Sequence, residues 1–204
     1  MCSIRVDRMP QESKNRQNGL TKSQQAEVNS EWVADADGIL HRNAARVILL
    51  DDSGRSLLVR GHDVGDLNHQ WWFTVGGGVG PDEVPVRGAC RELFEETGLS
   101  LDPDRLIGPV LKRRATFYFA LETRRQDELF FCARVDSAER RAAGKNQHLT
   151  SLELDVLDEF RWWAPEGIRA AEAAGQTFYP RGIADIIERL DAGWDGSCPV
   201  LRED

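Results

Sequence analysis

Four glutamates and one arginine stand at spacings that would gather their side chains along one short segment. Glu92, Glu95 and Glu96 lie at i, i+3 and i+4, which makes them neighbours on a helix surface. Arg91 precedes Glu95 by one helical turn and is placed to orient the acids through charge-assisted hydrogen bonds. Glu83 and Gly77 precede them on the same stretch. Like charges at i, i+4 cost about 0.2–0.5 kcal/mol per pair. Anions in a last helical turn, where Glu95 and Glu96 fall, cost about 0.3–1 kcal/mol more through the helix dipole. A solvated acidic face carries these costs uncompensated, whereas a bound cation offsets them. An all-oxygen donor set suits a hard cation such as Mg²⁺ or Mn²⁺.

The segment holding these acids reads as a helix. Pro85 suits its first position, where a missing N–H has no partner to lose. Gly98 suits the residue just past its end, which adopts a left-handed conformation. Val86, Ala89/Cys90, Leu93 and Thr97 recur at the helical period and define a core-facing stripe. The acids project from a different face. Trp71–Val75 (WWFTV) reads as a strand delivering the chain to Gly76-Gly77-Gly78, where the backbone can approach a ligand closely and its N–H groups can cradle phosphate.

Gly77 to Leu99 (GGVGPDEVPVRGACRELFEETGL) resembles the Nudix box, G-x5-E-x7-R-E-U-x-E-E-x-G-U with U aliphatic. Every fixed position is filled, a coincidence expected in fewer than roughly one in a million chains of this length. The resemblance implies an α/β fold: an α/β/α sandwich with a central mixed β-sheet and a loop–helix–loop that presents metal-bound carboxylates to a diphosphate. It implies Glu92, Glu95 and Glu96 as metal ligands, with Glu92 also a candidate general base, and Glu83 as a further or supporting carboxylate. Arg91 would hold Glu92 in place. Gly77 would make the tight turn into the site, with the Gly76 carbonyl as an additional ligand. Acids outside the box often supply another ligand or base in such proteins. Glu128 is the first candidate, followed by Glu153 and Glu159. Val75, Gly80 and Asp82 depart from residues common in the family, at positions that do not define the box.

The implied activity is hydrolysis of a phosphoanhydride in a nucleoside diphosphate linked to another moiety, dependent on Mg²⁺ or Mn²⁺. A polyanionic substrate needs cations, and Lys112, Arg113, Arg114, Arg124 and Arg125 are the local candidates for steering phosphates. Of these, Arg114 and Arg124 are taken with Gly76 and Gly77 as the substrate-binding set. Two rival readings use the same scaffold. A nucleotide sensor without turnover has no need of all four glutamates. An isoprenoid diphosphate isomerase wants a cysteine at the site, and Cys90 falls on the core face of the helix. Homodimers are common in the family and are an expectation here.

The remaining elements follow from hydrophobic pattern. Ala44–Leu50 is a nearly continuous apolar run, as in a central strand covered on both faces. A turn at residues 51–54 leads to a strand at Ser56–Arg60, and residues 62–70 read as a polar loop carrying His62 and His69. Strands follow at Val110–Leu121 and Asp127–Val135, with a polar connection over residues 136–151. The resemblance gives that connection the means to close over substrate, which would bring in Lys145 and His148. Phe160–Trp163 is the last predicted strand. Pro165–Ala174 and Arg181–Leu190 read as helices, the second with Ile183, Ile186, Ile187 and Leu190 on one face. The tryptophans are assigned to the core.

The chain has 204 residues and a formal net charge of -8, with no basic footprint for duplex nucleic acid. No apolar run reaches membrane-spanning length. The four cysteines are scattered and read as reduced. The first residues lack a secretory h-region, so a cytoplasmic location is the default expectation. Residues 1–30 are polar and read as a flexible extension, residues 31–193 as the catalytic domain, and residues 194–204 as a loosely held tail.

Overall fold

The computed structural model describes residues 3–5, 32–145 and 147–204. Most of the expected N-terminal extension, residues 1–30, therefore lies outside the described residues. The strands are β1 (Ser3–Arg5), β2 (Val33–Ala34), β3 (Leu40–Leu50), β4 (Ser56–Asp63), β5 (Asp66–Gly78), β6 (Ile107–Tyr118), β7 (Thr123–Arg134), β8 (Leu157–Trp163) and β9 (Val200–Glu203). The helices are α1 (Pro85–Thr97), α2 (Ser137–Ala142), α3 (Ser151–Val156), α4 (Pro165–Ala173) and α5 (Ile183–Ala192), with a 3₁₀ turn at Pro103–Arg105. The strands form one mixed sheet in the order β1-β8-β4-β5-β3-β7-β6-β9, and β2 pairs with β3. None of the described helices is long and apolar enough to cross a membrane.

β3 organises the sheet because both its faces are covered. Ala45, Val47 and Leu49 join Ala89, Leu93 and Phe131 in a core on the α1 side. Ile48 and Leu50 join Phe130, Ile168, Ile183 and Ile187 in a second core beneath α4 and α5. Successive side chains of a strand point to opposite faces, so one apolar run feeds both layers of an α/β/α sandwich. β3 runs parallel to β7 and antiparallel to β5. β5 is shared between two neighbours: residues 70–74 pair with β4, and Val75–Gly78 pair with β3. The box glycines thus end a strand fixed on both sides.

Two sequence expectations are corrected. Residues 62–70 are not a loop. β4 continues to Asp63 and β5 starts at Asp66, so these residues form a hairpin whose Asp63 is buried and accepts from the Ala120 N–H at 2.6 Å. Gly65 N–H donates to the Asp63 carboxylate at 2.9 Å and closes the turn.

The C-terminal tail is not loosely held. β9 pairs in parallel with β6 over Val200–Glu203. Glu203 is buried, accepting from Arg113 Nε at 2.7 Å and from the Arg181 N–H at 2.6 Å. A polar tail looks free in sequence because its partner, a buried arginine, lies far away along the chain. Glu203→Ala leaves Arg113 without that partner. It should lower the unfolding free energy by about 3 kcal/mol or more, as loss of one member of a buried ion pair does. Denaturant titration measures this. A change within about 0.5 kcal/mol, typical of surface substitutions, would show that the strand contributes little.

Candidate active site

α1 carries the acids and sets how far each is withdrawn from water. Pro85 opens it, and Gly98 closes it with φ 72° and an N–H bonded to Phe94 O. Ala89, Leu93 and Thr97 are fully buried. Glu92 and Glu96 lie beside this stripe and are themselves only 6% and 3% exposed, so the sheet desolvates two carboxylates one turn apart.

Burial pushes the Glu92 carboxyl up to about 7, against the hydrogen bond and charge of Arg91, with Glu153 and Glu95 adding repulsion. Burial also drives Glu96 well above the ordinary range, and Glu153 and Glu92 push it further. Glu95 stands on the more exposed side.

Arg91 ties the cluster together. Its Nε donates to Glu83 at 3.0 Å, and its Nη2 donates to Glu83 and to the Gly78 carbonyl, both at 2.9 Å. Its Nη1 donates to Glu92 at 2.7 Å and to Glu95 at 3.0 Å. The hydrogen bond from Arg91 holds the Glu83 carboxyl below its usual range.

The glycine turn lies directly against the acids. Gly76 N–H donates to Glu96 Oε2 at 2.8 Å. A Cβ on Gly77 would meet Glu92 Oε2 at 2.5 Å, so a larger residue there would push this carboxylate from its present position.

The segment after α2 docks on the C-terminal end of α1, where helix carbonyls need donors. Gly144 N–H bonds Thr97 O at 2.7 Å, Gln147 Nε2 bonds Glu96 O at 2.7 Å, and His148 N–H bonds Glu95 O at 2.6 Å. His148 stacks on Phe94 at 5.0 Å. The connection expected to close over substrate is thus pinned to the helix. It leads into α3, where Glu153 takes the third position and accepts from the Thr150 N–H and hydroxyl in a capping box. Glu153 faces the same cleft as Glu92, Glu95 and Glu96, a cavity of about 460 Å³.

The other wall of this cleft is aromatic and basic, with Trp71, Phe73, Phe117, Phe119 and Arg124 among its residues. Arg124 packs over Trp32 at 4.7 Å and pairs with Glu122. Trp72 is core, as the sequence reading has it, but Trp71 is half-buried and lines the cleft. Strand alternation through WWFTV was the available signal.

Gly76, Gly77, Glu83, Arg91, Glu92, Glu95, Glu96 and Arg124 are brought together around α1 and this cleft. Two other expected residues do not line this cleft. Arg114 is exposed on an adjoining, larger groove of about 1300 Å³ that also carries Gly78, Glu83 and Arg91, beside Lys112 and paired with Asp127 at 3.3 Å. Glu128 is buried inside the sheet, accepting from Arg46 Nε at 2.6 Å and Arg113 Nη1 at 2.7 Å. Burial raises its carboxyl, but the two guanidiniums outweigh burial and hold it below the ordinary value. Register explains the displacement. Glu128 stands directly across from Arg113 and also meets Arg46, so its two oxygens are taken by guanidiniums that themselves line the cleft. Glu159 pairs with Arg161 and Arg60 near the other edge of the sheet.

The family profile described as NUDIX domain matches residues 40–182. The chain belongs to the NUDIX family. A MutT-like protein of Streptomyces ambofaciens is 35% identical over 69 residues, which is 34% of this chain and 42% of that protein. An RNA pyrophosphohydrolase of Bartonella quintana (strain Toulouse) is 36% identical over 66 residues, 32% of this chain and 35% of that protein. These matches span less than half of either relative. Among solved structures, a NUDIX hydrolase from Nitrosomonas europaea aligns with a TM-score of 0.52 and 20% identity, over 75% of this chain and 90% of that chain. At that identity the likeness is one of fold.

Among the described residues, no three His, Cys, Asp or Glu side chains converge closely enough to hold a metal ion as they stand. Arg91 bridges three of the NUDIX acids instead. The donor chemistry nevertheless fits a hard divalent cation. The acids are all oxygen donors, and two are buried against each other with only partial neutralisation.

For such groups the folded state holds protons more tightly than the unfolded chain, so the stability cost of Glu92 grows as pH rises from about 4.5 to about 7, and Glu96 acts in the same direction. Glu96→Gln, which keeps an acceptor for Gly76, should raise the metal-free melting temperature at pH 8 and abolish any rise on adding Mg²⁺. Differential scanning calorimetry with and without chelator checks both. A mutant that melts lower without metal and still responds to Mg²⁺ contradicts this assignment.

Proposed function

We propose that this protein is a divalent-metal-dependent hydrolase of phosphoanhydride bonds, acting on a nucleoside diphosphate linked to another moiety. The observation that carries the reading is the juxtaposition of Glu92, Glu95, Glu96 and Glu153 in one cleft with an aromatic and basic wall. Glu92, Glu95 and Glu96 would hold the cation, with Glu83 supporting them through Arg91. When bound, Mg²⁺ or Mn²⁺ supplies Lewis-acid polarisation of the diphosphate and a lowered pKa for water.

The chain's own residues do the rest. Arg91 fixes Glu92 and shares its charge with Glu95. Gly77 leaves room for the Glu92 carboxylate at the turn. Arg124, on the opposite wall, is placed to meet phosphate oxygens. Trp71, Phe73, Phe117 and Phe119 offer apolar faces to the group beyond the diphosphate.

Glu153 is the favoured general base. It comes from a separate element and faces the buried pair across the cleft, where it can accept a proton from attacking water. Glu128 has an oxygen on each of two guanidiniums and is a poor proton acceptor. Cys90 packs against the α1-side core with its thiol raised by burial, which disfavours isomerase chemistry.

Two variants separate the roles. Glu95→Gln should remove most Mg²⁺-dependent turnover without changing the fold, because Glu95 is on the exposed side of α1. Glu153→Gln should lower kcat by about 10²–10⁴-fold, the usual contribution of a general base, with KM and metal affinity nearly unchanged. Glutamine also satisfies a capping box at this helix position, so α3 should persist. Steady-state kinetics with circular dichroism tests both. Wild-type kcat in folded Glu153→Gln rules Glu153 out as the base.

A further inference from the structure

Four charged side chains that the proposed chemistry does not use form a continuous buried path to the carboxylate cluster. Arg46, Arg113, Glu128 and Glu203 are 7%, 3%, 1% and 8% exposed. From the C-terminal strand inward, Arg113 Nε donates to Glu203 at 2.7 Å and Arg113 Nη1 donates to Glu128 at 2.7 Å. Arg46 Nε donates to the other Glu128 oxygen at 2.6 Å. Arg46 Nη1 then donates to two carbonyls of β5, Thr74 O at 3.0 Å and Gly76 O at 2.9 Å. The Gly76 N–H bonds Glu96 at 2.8 Å.

The charges alternate along the path and sum to zero. Such a network is a weak device for stability alone, since well-packed apolar residues often do as well or better. Its endpoint suggests another use. Gly76 sits at φ +128°, a conformation that L side chains rarely adopt, and a Cβ there would meet Ala45 O at 2.3 Å. A planar guanidinium bonded to the carbonyls on both sides of Val75 fixes the strand where it turns into the box.

We propose that Arg46, Glu128, Arg113 and Glu203 are positioning residues that hold the backbone on both sides of the Val75–Gly76 peptide, and through the Gly76 N–H the Glu96 carboxylate. The terminal strand β9 is then a structural member of the reaction centre. This rests on the reading of Glu96 as a metal ligand, and it reassigns Glu128 from proton transfer to geometry.

The test compares wild type, Glu128→Gln and Arg46→Lys in the full chain. Arg46→Lys keeps the buried charge balance, but an ammonium cannot present the planar fork that reaches Glu128 and both carbonyls together. It carries the test if Glu128→Gln does not fold. Three readouts are taken: Gly76 amide hydrogen exchange by NMR without metal, Mn²⁺ affinity by electron paramagnetic resonance, and kcat and KM with Mg²⁺.

Expected in each folded variant is Gly76 exchange faster by tenfold or more relative to Val47, in the core of β3. Mn²⁺ affinity and kcat should fall by about 10–100-fold, as when outer partners of metal ligands are removed, with KM within about threefold. A folded variant with wild-type Gly76 exchange, Mn²⁺ affinity and kcat overturns the proposal. A wild type that hydrolyses nothing would sink the hydrolase reading, but the exchange and Mn²⁺ arms would still decide the positioning role. A wild type that binds no Mn²⁺ would sink the metal reading and leave the exchange arm to decide.

Discussion

Two carboxylates forced together out of water are the constraint to which the rest of the site answers. Glu92 and Glu96 share a helix with the apolar stripe that docks α1 on the sheet, so packing the helix buries the acids with it. Buried like charges raise each other's proton affinity. Arg91 relieves part of this by reaching three acids at once, although Glu92 and Glu96 still hold protons well above the ordinary range. A helix evolved only for stability would not carry this arrangement. It becomes reasonable if the cluster is completed by a cation that arrives with, or before, a polyanionic substrate.

The sheet supplies the geometry such a cluster needs. β5 is clamped between β4 and β3, and its last residues become the glycine turn that touches both buried acids. The C-terminal end of α1 is capped by residues 144–148, and that docking places Glu153 across the cleft. Rigid strands deliver the backbone contacts, while a helix end anchors the loop that brings the fifth acid. Sites on such supports hold their geometry better than sites on free loops.

What the sequence revealed was what local periodicity encodes. The box spacing identified the acids, and the stripe of Ala89, Leu93 and Thr97 identified the face that buries. The apolar run of β3 identified the centre of the sheet. What it hid depends on register between distant strands. Glu128 meets Arg46 from 82 residues away, and only the pairing of β7 with both β3 and β6 decides which face it takes. Glu153 is legible as an acid outside the box, but its place in the cleft is not, because that depends on hydrogen bonds to the end of α1. The terminal strand is hidden for a related reason. Its polar residues suggest solvent until Arg113 is seen waiting inside.

The most direct measurement is ³¹P NMR of products from a panel of nucleoside diphosphate derivatives incubated with the purified protein, with Mg²⁺ and with chelator. The proposed chemistry requires new phosphate-bearing products from at least one substrate with Mg²⁺ and none with chelator. Turnover that persists unchanged in chelator, or no turnover on any substrate while ligand binding is detected, would contradict a metal-dependent hydrolase at the Glu92–Glu96 cluster.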